Sequence, residues 1–177
     1  MNARVRSLAL ASAIAWPAIG VAAPCIAASP SPAPCSASPY HQFDFWLGNW
    51  NVYGTQDRKL SGTNDVTREQ GGCVLQEHWI GTSGDSGTSF NLYYAHAHEW
   101  HQTWVDNGGG LLLLDGGLRN GNMVLSGTMP GRDGKPVLNR IEWTPNRDGT
   151  VRQVWTASRN GGKTWNILFD GTYKKRA

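Results

Sequence analysis

Polar side chains alternate with tryptophans in three short segments of the sequence, and these segments are where chemistry is most expected. The segments contain Glu77 and Trp79; Trp100, Gln102 and Trp104; and Gln153 and Trp155. Side chains two residues apart lie on one face of a β-strand, so each polar group should share a surface with indole rings. Burial beside Trp79 would raise the pKa of the Glu77 carboxyl, because a low-dielectric environment disfavours the charged form. Glu77 is therefore the best candidate for a catalytic acid or base.

A complete enzyme site needs a partner for Glu77, and the sequence does not identify one. Asp106 falls on the same predicted face, but it lies near a turn, so its distance from Glu77 does not follow from the spacing. The sequence contains no nucleophile elbow, phosphate-binding loop or assembled catalytic triad. A hydrolase or isomerase that uses Glu77 is one hypothesis, and a site that binds a ligand without transforming it is another.

Histidines cluster at His96, His98 and His101, which raises the question of a metal site. Histidine is a common ligand of zinc and other transition metals. The first two fall at a predicted hairpin tip and the third on the predicted outer face, so no third inward ligand is expected. No histidine follows His101, which leaves the last five predicted strands without an axial ligand for haem. We therefore predict no metal and no cofactor.

Turn dipeptides divide the chain after Tyr40 into short alternating runs. Asn-Gly or Asp-Gly occurs at 107, 120, 133, 148, 160 and 170, and such pairs between alternating runs favour β-hairpins. The predicted strands are 48–56, 61–70, 73–81, 88–95, 99–106, 111–119, 122–129, 138–145, 150–158 and 163–174. About ten strands in so short a chain predict an all-β protein, an antiparallel up-and-down β-barrel, because closure removes exposed edges. A two-sheet sandwich is the structural alternative.

Strand parity places the tryptophans on one face, which we take as the interior. That face carries Leu75, Glu77, Trp79, Trp100, Gln102, Trp104, Asp106, Ile141, Trp143, Val151, Gln153, Trp155, Trp165, Ile167 and Phe169. Buried polar groups need partners, so the polar members either bond one another in a filled barrel or line a cavity. In the second case the predicted ligand-binding residues are Glu77, Trp79, Trp100, Gln102, Trp104, Trp143, Gln153 and Trp155. The other face is mixed in charge and has no obvious apolar stripe. A third hypothesis is a filled barrel that acts through this outer face as an envelope interaction module.

The beginning of the sequence resembles an export signal. Arg4 and Arg6 precede an apolar stretch, 8–21, and small residues follow it. We predict a signal peptide over 1–28, a Pro/Ser-rich disordered lead-in over 29–40 that forms no helix, and a single barrel domain over 41–177. The protein is then exported, either periplasmic or secreted, without stable membrane insertion.

Export also bears on the cysteines and on the charge. Loss of Cys25 with the signal leaves Cys35 and Cys73, which either form a disulfide in an oxidising compartment or leave Cys73 as a small buried apolar residue. Loss of two arginines lowers the formal charge from +3 to about +1. This charge does not favour nucleic-acid binding, so the expected partner is a small molecule of unknown identity.

The stretch Phe43–Trp50, "FDFWLGNW", introduces a family resemblance. Its Gly48-Asn49-Trp50 is a G-x-W on the first predicted strand, which resembles the lipocalins and their wider calycin superfamily. A closer resemblance covers nearly the whole mature chain and involves a family of exported bacterial proteins known as a domain of unknown function. The similar motifs are "FDFWLGNWNV", "GCVLQEHWIG", "WHQTWVDNGGG", "WTPNRDGTVRQVWTAS" and "GGKTWNILFDGTYKK".

The resemblance implies a lipocalin-like barrel in the envelope or outside the cell, and it implies no established activity. In lipocalins the G-x-W tryptophan plugs the closed end of the barrel and meets an arginine just after the last strand. By this resemblance Trp50 closes one end, Gly48 permits close backbone approach, and Arg176 is the candidate arginine. A ligand is then expected to enter from the opposite end.

Overall fold

Residues 33–176, the part of the chain that the computed structural model describes, form a closed antiparallel β-barrel. The predicted signal peptide, 1–28, and the first part of the lead-in lie outside the described residues. The strands are β1 Gly48–Gly54, β2 Leu60–Glu69, β3 Val74–Gly81, β4 Ser86–Tyr94, β5 Glu99–Asp106, β6 Leu111–Arg119, β7 Asn122–Pro130, β8 Pro136–Pro145, β9 Val151–Ser158 and β10 Asn166–Lys175.

Each strand pairs with its neighbours in sequence, and β1 also pairs with β10, which closes the sheet. The predicted up-and-down barrel is confirmed, and the two-sheet sandwich is excluded. Because successive strands are antiparallel, the hairpins that follow β1, β3, β5, β7 and β9 lie at one end of the barrel. The chain enters β1 at the other end.

The alternation of buried and exposed side chains follows the predicted faces except at the end of β9, where Thr156 and Ser158 are buried although their parity is that of the outer face, and in β10. A bulge there puts Ile167 opposite Thr156 but Phe169 opposite Trp155. The extra residue reverses the parity, so Ile167 is 58% exposed, and Trp165 packs on the outer-face Arg140, whose guanidinium lies 4.3 Å from the ring centroid. The predicted inward orientation of Trp165 and Ile167 is therefore wrong, whereas that of Phe169 is correct.

An aromatic plug fills the end of the barrel at which β1 begins. It consists of Phe43, Trp46, Trp50, Trp100 and Trp143, each at most 1% exposed. Phe43 stacks on Trp46 with ring centroids 4.8 Å apart, and its ring also meets the edges of Trp100 and Trp143 at 5.6 and 5.1 Å. Such aromatic contacts add to the large apolar area that each ring buries.

The residues just before β1 carry the plug into the barrel. Asp44–Trp46 form one turn of 3-10 helix, and the indole N–H of Trp50 donates to the Trp46 carbonyl oxygen at 2.9 Å. Trp50 thus lies buried beneath this turn, at the end of the barrel where the family resemblance placed it.

A lysine, and not the expected arginine, accompanies Trp50. The Lys175 Nζ lies 4.7 Å from the Trp50 ring centroid and donates to the Leu47 carbonyl oxygen at 2.8 Å. Lys175 is the register partner of Trp50 across β1 and β10, so their side chains share a face. Arg176 pairs with Asp65 instead.

Gly48 lies against the side chain of the same lysine, and not, as expected, against another backbone segment. Its φ is +133°, and a Cβ at this position would stand 2.6 Å from the Lys175 Nζ. A larger residue would therefore displace the cation and strain the backbone.

A disulfide between Cys35 and Cys73 ties the segment before the plug to the start of β3. The predicted disulfide is confirmed over the alternative of a free buried cysteine.

The end of the lead-in differs from the expected helix-free segment, because Ser38–His41 form a 3-10 helix. Within residues 33–176, no helix is both long and apolar enough to cross a membrane.

The outer face of β4, β5 and β6 exposes more apolar surface than the sequence indicated. Phe90, Val105, Leu111 and Leu113 are between 40% and 48% exposed. Phe90 and Leu113 both pair with Thr103, and Val105 pairs with Leu111, so the four side chains are near neighbours. The stripe runs across strands and is therefore invisible in any single segment.

Candidate functional site

A cavity of about 710 Å³ occupies the end of the barrel opposite the aromatic plug. Its rim includes residues from the hairpins after β1, β3 and β5, among them Asp57, Ser83 and Asn107. The barrel is thus filled at one end and hollow at the other, and the opening lies at the end expected for ligand entry.

Three tryptophans and one phenylalanine form the aromatic wall of this cavity: Trp79, Trp104, Trp155 and Phe169. The Trp79 N–H donates to Asp85 Oδ2 at 2.7 Å, and the Trp155 N–H donates to Asn139 Oδ1 at 3.0 Å. Trp79 also meets the Phe169 ring edge at a centroid distance of 6.0 Å. These contacts hold the Trp79 and Trp155 rings in place.

Glycines on adjacent strands make room for two of these rings. A Cβ on Gly87 would stand 2.2 Å from the Trp104 ring, and one on Gly62 would stand 2.7 Å from the Trp79 ring. Each indole therefore lies over a neighbouring strand where no side chain opposes it.

Side chains from β2, β3, β4 and β5 form a connected polar network at the floor of the cavity. We call Asn64, Glu77, Ser89, Asn91 and Gln102 the floor network. Glu77 accepts hydrogen bonds from Asn64 Nδ2 at 2.8 Å and from Ser89 Oγ at 2.7 Å. Asn91 Nδ2 donates to Ser89 Oγ at 2.9 Å, and Gln102 Nε2 donates to Asn91 Oδ1 at 2.7 Å. The network supports a buried carboxyl group without a cationic partner.

Burial raises the pKa of Glu77 to about 7, although the hydrogen bonds from Ser89 and Asn64 act in the opposite direction. Glu77 is 5% exposed and still lines the cavity. Its carboxyl group therefore changes charge near neutral pH, in contact with whatever the cavity contains. Glu77 also acts on Tyr173, whose own pKa is raised by burial and by the nearby carboxylate.

Two glutamine side chains present further polar atoms to the cavity. Gln102 is 2% exposed, and its Oε1 accepts no hydrogen bond from any residue between 33 and 176. Gln153 Oε1 accepts from the Tyr173 hydroxyl, and its Nε2 has no partner among the same residues. Both glutamines line the cavity, so these atoms are available to a ligand.

The structure brings together most of the residues that the sequence placed in the site. Glu77, Trp79, Gln102, Trp104, Gln153 and Trp155 line the cavity. Trp100 and Trp143 do not, because Phe43 and Trp46 fold against them from outside the sheet and bury them in the plug. Their predicted role as ligand-binding walls is corrected to a structural one.

Sequence reasoning missed the polar partners on β2 and β4. Asn64, Ser89 and Asn91 are fully buried, and they lie in strands without a tryptophan to mark the inner face. The pattern in β4 was misleading, because Ser89 and Asn91 alternate with the apolar Phe90 and Leu92, whereas in β2 Asn64 shares its face with Gly62 and Val66. Tyr173 shares the parity of Phe169 in the last strand, but it was not included in the predicted site.

Acidic groups dominate the charge around the cavity. Its lining includes the carboxyl groups of Asp57, Glu77, Asp85 and Asp106, and a single ammonium, Lys59. Hydrogen bonds from Ser83 and Trp79 lower the pKa of Asp85, so this carboxylate is ionised at neutral pH. Asp106 accepts from the backbone N–H groups of Gly108 and Gly110 at 2.9 and 2.8 Å.

The histidine cluster does not form a metal centre in the described structure. His96 and His98 lie in the exposed turn between β4 and β5, and His101 bonds to Asp115 and Thr103 on the outer face. Within residues 33–176, no group of three His, Cys, Asp or Glu side chains is placed to hold a metal ion.

No protein-family model matches the chain, and neither does any curated protein. The resemblance to an exported bacterial family therefore stays a prediction.

Proposed function

We propose that this protein is an exported, lipocalin-like barrel that binds a small ligand in its tryptophan-lined cavity without transforming it. The observation that carries this proposal is a cavity of about 710 Å³ with an aromatic wall and a polar floor. Small-molecule sites usually combine roughly 300–1,000 Å³ of mostly apolar pocket with a few convergent polar groups. Unpartnered atoms of Gln102 and Gln153 supply such groups here.

The hollow end favours binding over the hypothesis of a filled barrel that acts only through its surface. The plug shows that this chain can fill a barrel with aromatic side chains, yet the other half contains open space. Polar atoms of Gln102 and Gln153 line this open space without a partner among residues 33–176, and a bound ligand would satisfy them.

The disulfide supports the export part of the proposal. Disulfides such as Cys35–Cys73 form and persist in oxidising compartments. The pairing agrees with the predicted signal peptide over 1–28 and with the resemblance to exported bacterial proteins of unknown function.

A hydrolase or isomerase is the second candidate, and one observation favours it. The pKa of Glu77 near 7 suits a general acid or base at neutral pH. Both carboxylate oxygens are already bonded to Asn64 and Ser89, and no histidine or cysteine lines the cavity among the described residues. Turnover of chromogenic ester or glycoside substrates that disappears in Glu77→Gln would favour this candidate over simple binding.

Ligand uptake can be tested with an uncharged aromatic dye, N-phenyl-1-naphthylamine, whose fluorescence rises in apolar surroundings. Leu112 lines the cavity, whereas Leu113 points outward and is 40% exposed. We expect Leu112→Trp to fill the cavity and weaken dye binding by about tenfold or more. Leu113→Trp, the matched control, should bind as the wild type does.

Equal dye binding by the two leucine variants would mean that the dye occupies the outer surface and would overturn the proposal. Thermal unfolding of both variants shows whether each is folded. Quenching of tryptophan fluorescence by the dye gives a second readout, because three indoles form the wall.

A further inference from the structure

We propose that the cavity selects organic cations, namely molecules that join an apolar body to a protonated amino group seated at Glu77 and Gln102. This inference rests on the proposed ligand-binding function and adds the chemical class of the ligand. Three independent features support it: the acceptors on the floor, the aromatic wall and the charge of the lining.

The first feature is the fixed orientation of the floor amides. The Leu75 carbonyl oxygen can only accept a hydrogen bond, so the Asn91 group that lies 3.2 Å from it must be the donating Nδ2. Asn91 Oδ1 is then the acceptor that faces Gln102, and the Gln102 group 2.7 Å away must be Nε2. Gln102 is thereby left with its Oε1 as the group offered to the cavity.

The floor therefore presents acceptors and requires a donor-rich ligand. Each Glu77 oxygen accepts one hydrogen bond from the protein, and a carboxylate oxygen has a second lone pair to offer. An ammonium group carries three donors and no acceptor, which matches Glu77 together with Gln102. The free Nε2 of Gln153 suits a hydroxyl or carbonyl oxygen elsewhere on the same ligand.

The second feature is the wall of Trp79, Trp104, Trp155 and Phe169. The face of an aromatic ring carries negative charge density and attracts cations, most strongly for tryptophan. The same rings provide the apolar surface that holds the rest of the molecule. An aromatic wall around a carboxylate thus suits a hydrophobic amine better than a sugar or a fatty acid.

The third feature is the charge of the lining. Four carboxyl groups face one ammonium, Lys59, which lies near the mouth. An anionic ligand would have to pass Asp57, Asp85 and Asp106 and would then meet Glu77. Like charges across a binding site disfavour a partner, and opposite charges steer it in.

The inference also predicts a pH dependence. The charged or titratable groups that line the cavity with Glu77 are Asp57, Lys59, Asp85, Asp106 and Tyr173, while its contacts from β2 and β4 are the neutral Asn64 and Ser89. A cation binds the ionised form of Glu77, whose pKa is about 7 in the free protein. Affinity for an amine should therefore rise about tenfold between about pH 6 and pH 8, as Glu77 loses its proton.

The test compares three ligands of one shape: 4-phenylbutylamine, 4-phenyl-1-butanol and 4-phenylbutyrate. Titration calorimetry at pH 8 should rank the amine first, about tenfold or more tighter than the alcohol, with the carboxylate last. Glu77→Gln should abolish the preference for the amine, because it removes the negative charge that distinguishes the amine from the alcohol. Glu99→Gln, a control at the start of β5 near the plug, should keep the preference.

The outcomes separate this inference from the proposed function. If the alcohol or the carboxylate binds as tightly as the amine, the cationic preference is overturned and a ligand-binding barrel remains. If none of the three compounds binds and N-phenyl-1-naphthylamine does not bind either, both proposals fail. If Glu77→Gln does not fold, the inference is tested by the pH dependence of amine binding to the wild type. An affinity that does not rise between pH 6 and pH 8 contradicts the inference.

Discussion

The two ends of this barrel use tryptophan for opposite purposes. At the plug end, four tryptophans are at most 1% exposed: Trp46, Trp50, Trp100 and Trp143. All but Trp50 contact the Phe43 ring, and the Trp50 ring meets Tyr173. At the open end, Trp79, Trp104 and Trp155 are partly exposed and surround empty space.

The difference between the ends comes from a segment that is not part of the sheet. The strands present similar alternating tryptophans to both halves of the interior, and only one half receives the turn formed by Asp44–Trp46. An inward-facing tryptophan therefore belongs to the packed core where another element covers it, and it forms the wall of the cavity where none does. The predictions below test this contrast, from the largest expected effect to the smallest.

The largest difference should appear between two tryptophans on neighbouring strands. Trp143→Ala should lower the free energy of unfolding by about 3–5 kcal/mol, because it leaves a void in a packed core. Trp155→Ala should lower it by less, about 1–2 kcal/mol, because its ring already borders a cavity. Urea denaturation followed by circular dichroism measures both losses, and equal losses would contradict the division into plug and wall.

Removal of the disulfide should weaken the plug end. Cys35 and Cys73 are 38 residues apart in sequence, and cross-linking a loop of that size stabilises the folded state by about 3–4 kcal/mol in the chain-entropy model. The double variant Cys35→Ser, Cys73→Ser should unfold at correspondingly lower urea concentration. Reductant should destabilise the wild type and leave the double variant unaffected. Loss of the disulfide should accelerate hydrogen exchange in residues 40–47 more than in β3 and β4.

The buried carboxyl group at the open end should make stability fall as pH rises. The folded-state pKa of Glu77, about 7, exceeds its model value of 4.5, so between these values the unfolded chain has lost the proton and the folded one keeps it. The loss in free energy of unfolding that this raised pKa causes is absent below about pH 4.5. It grows to about 3 kcal/mol by pH 7 and is constant above that pH.

Glu77→Gln should lack this pH-dependent loss. The difference in unfolding free energy between the wild type and the variant, measured from pH 4.5 to pH 8, isolates Glu77 from the other carboxyl groups. A difference that does not change with pH would show that Glu77 titrates normally and would contradict its burial in the cavity floor.

The smallest effect concerns the lysine that covers the plug. Lys175→Met should lower the free energy of unfolding by about 1 kcal/mol, because it removes a cation from the Trp50 ring and a hydrogen bond to the Leu47 carbonyl oxygen. Lys163→Met is the control, since Lys163 is exposed and makes no side-chain hydrogen bond within residues 33–176. Thermal unfolding compares the two, and equal melting temperatures would contradict a role for Lys175.

Most strand positions were predictable because alternation and glycine turns are local signals. β5 and β6 have the predicted bounds, 99–106 and 111–119, and Asn107-Gly108 and Asn120-Gly121 mark the turns that follow them. The bulge in β10 was not predictable, because an extra residue in a strand changes the parity without any change in composition. Trp165 and Ile167 were misplaced for that reason.

The site was predictable in part. Glu77, Gln102 and Gln153 were identified because each alternates with tryptophans in its own strand. Their partners Asn64 and Ser89 lie on other strands, and cross-strand pairs depend on register, which short-range patterns do not specify.

By itself the sequence determined the elements that local rules control: the alternating strands, the hairpins between them, the inward tryptophans of β3, β5, β8 and β9, and a pair of cysteines able to join. The tertiary structure alone decided how deep each tryptophan lies, which of them the N-terminal turn covers, and which polar groups surround Glu77. Depth and cross-strand contact arise only when the barrel closes and a segment from outside the sheet fills one end. The cavity exists because the other end was left unfilled.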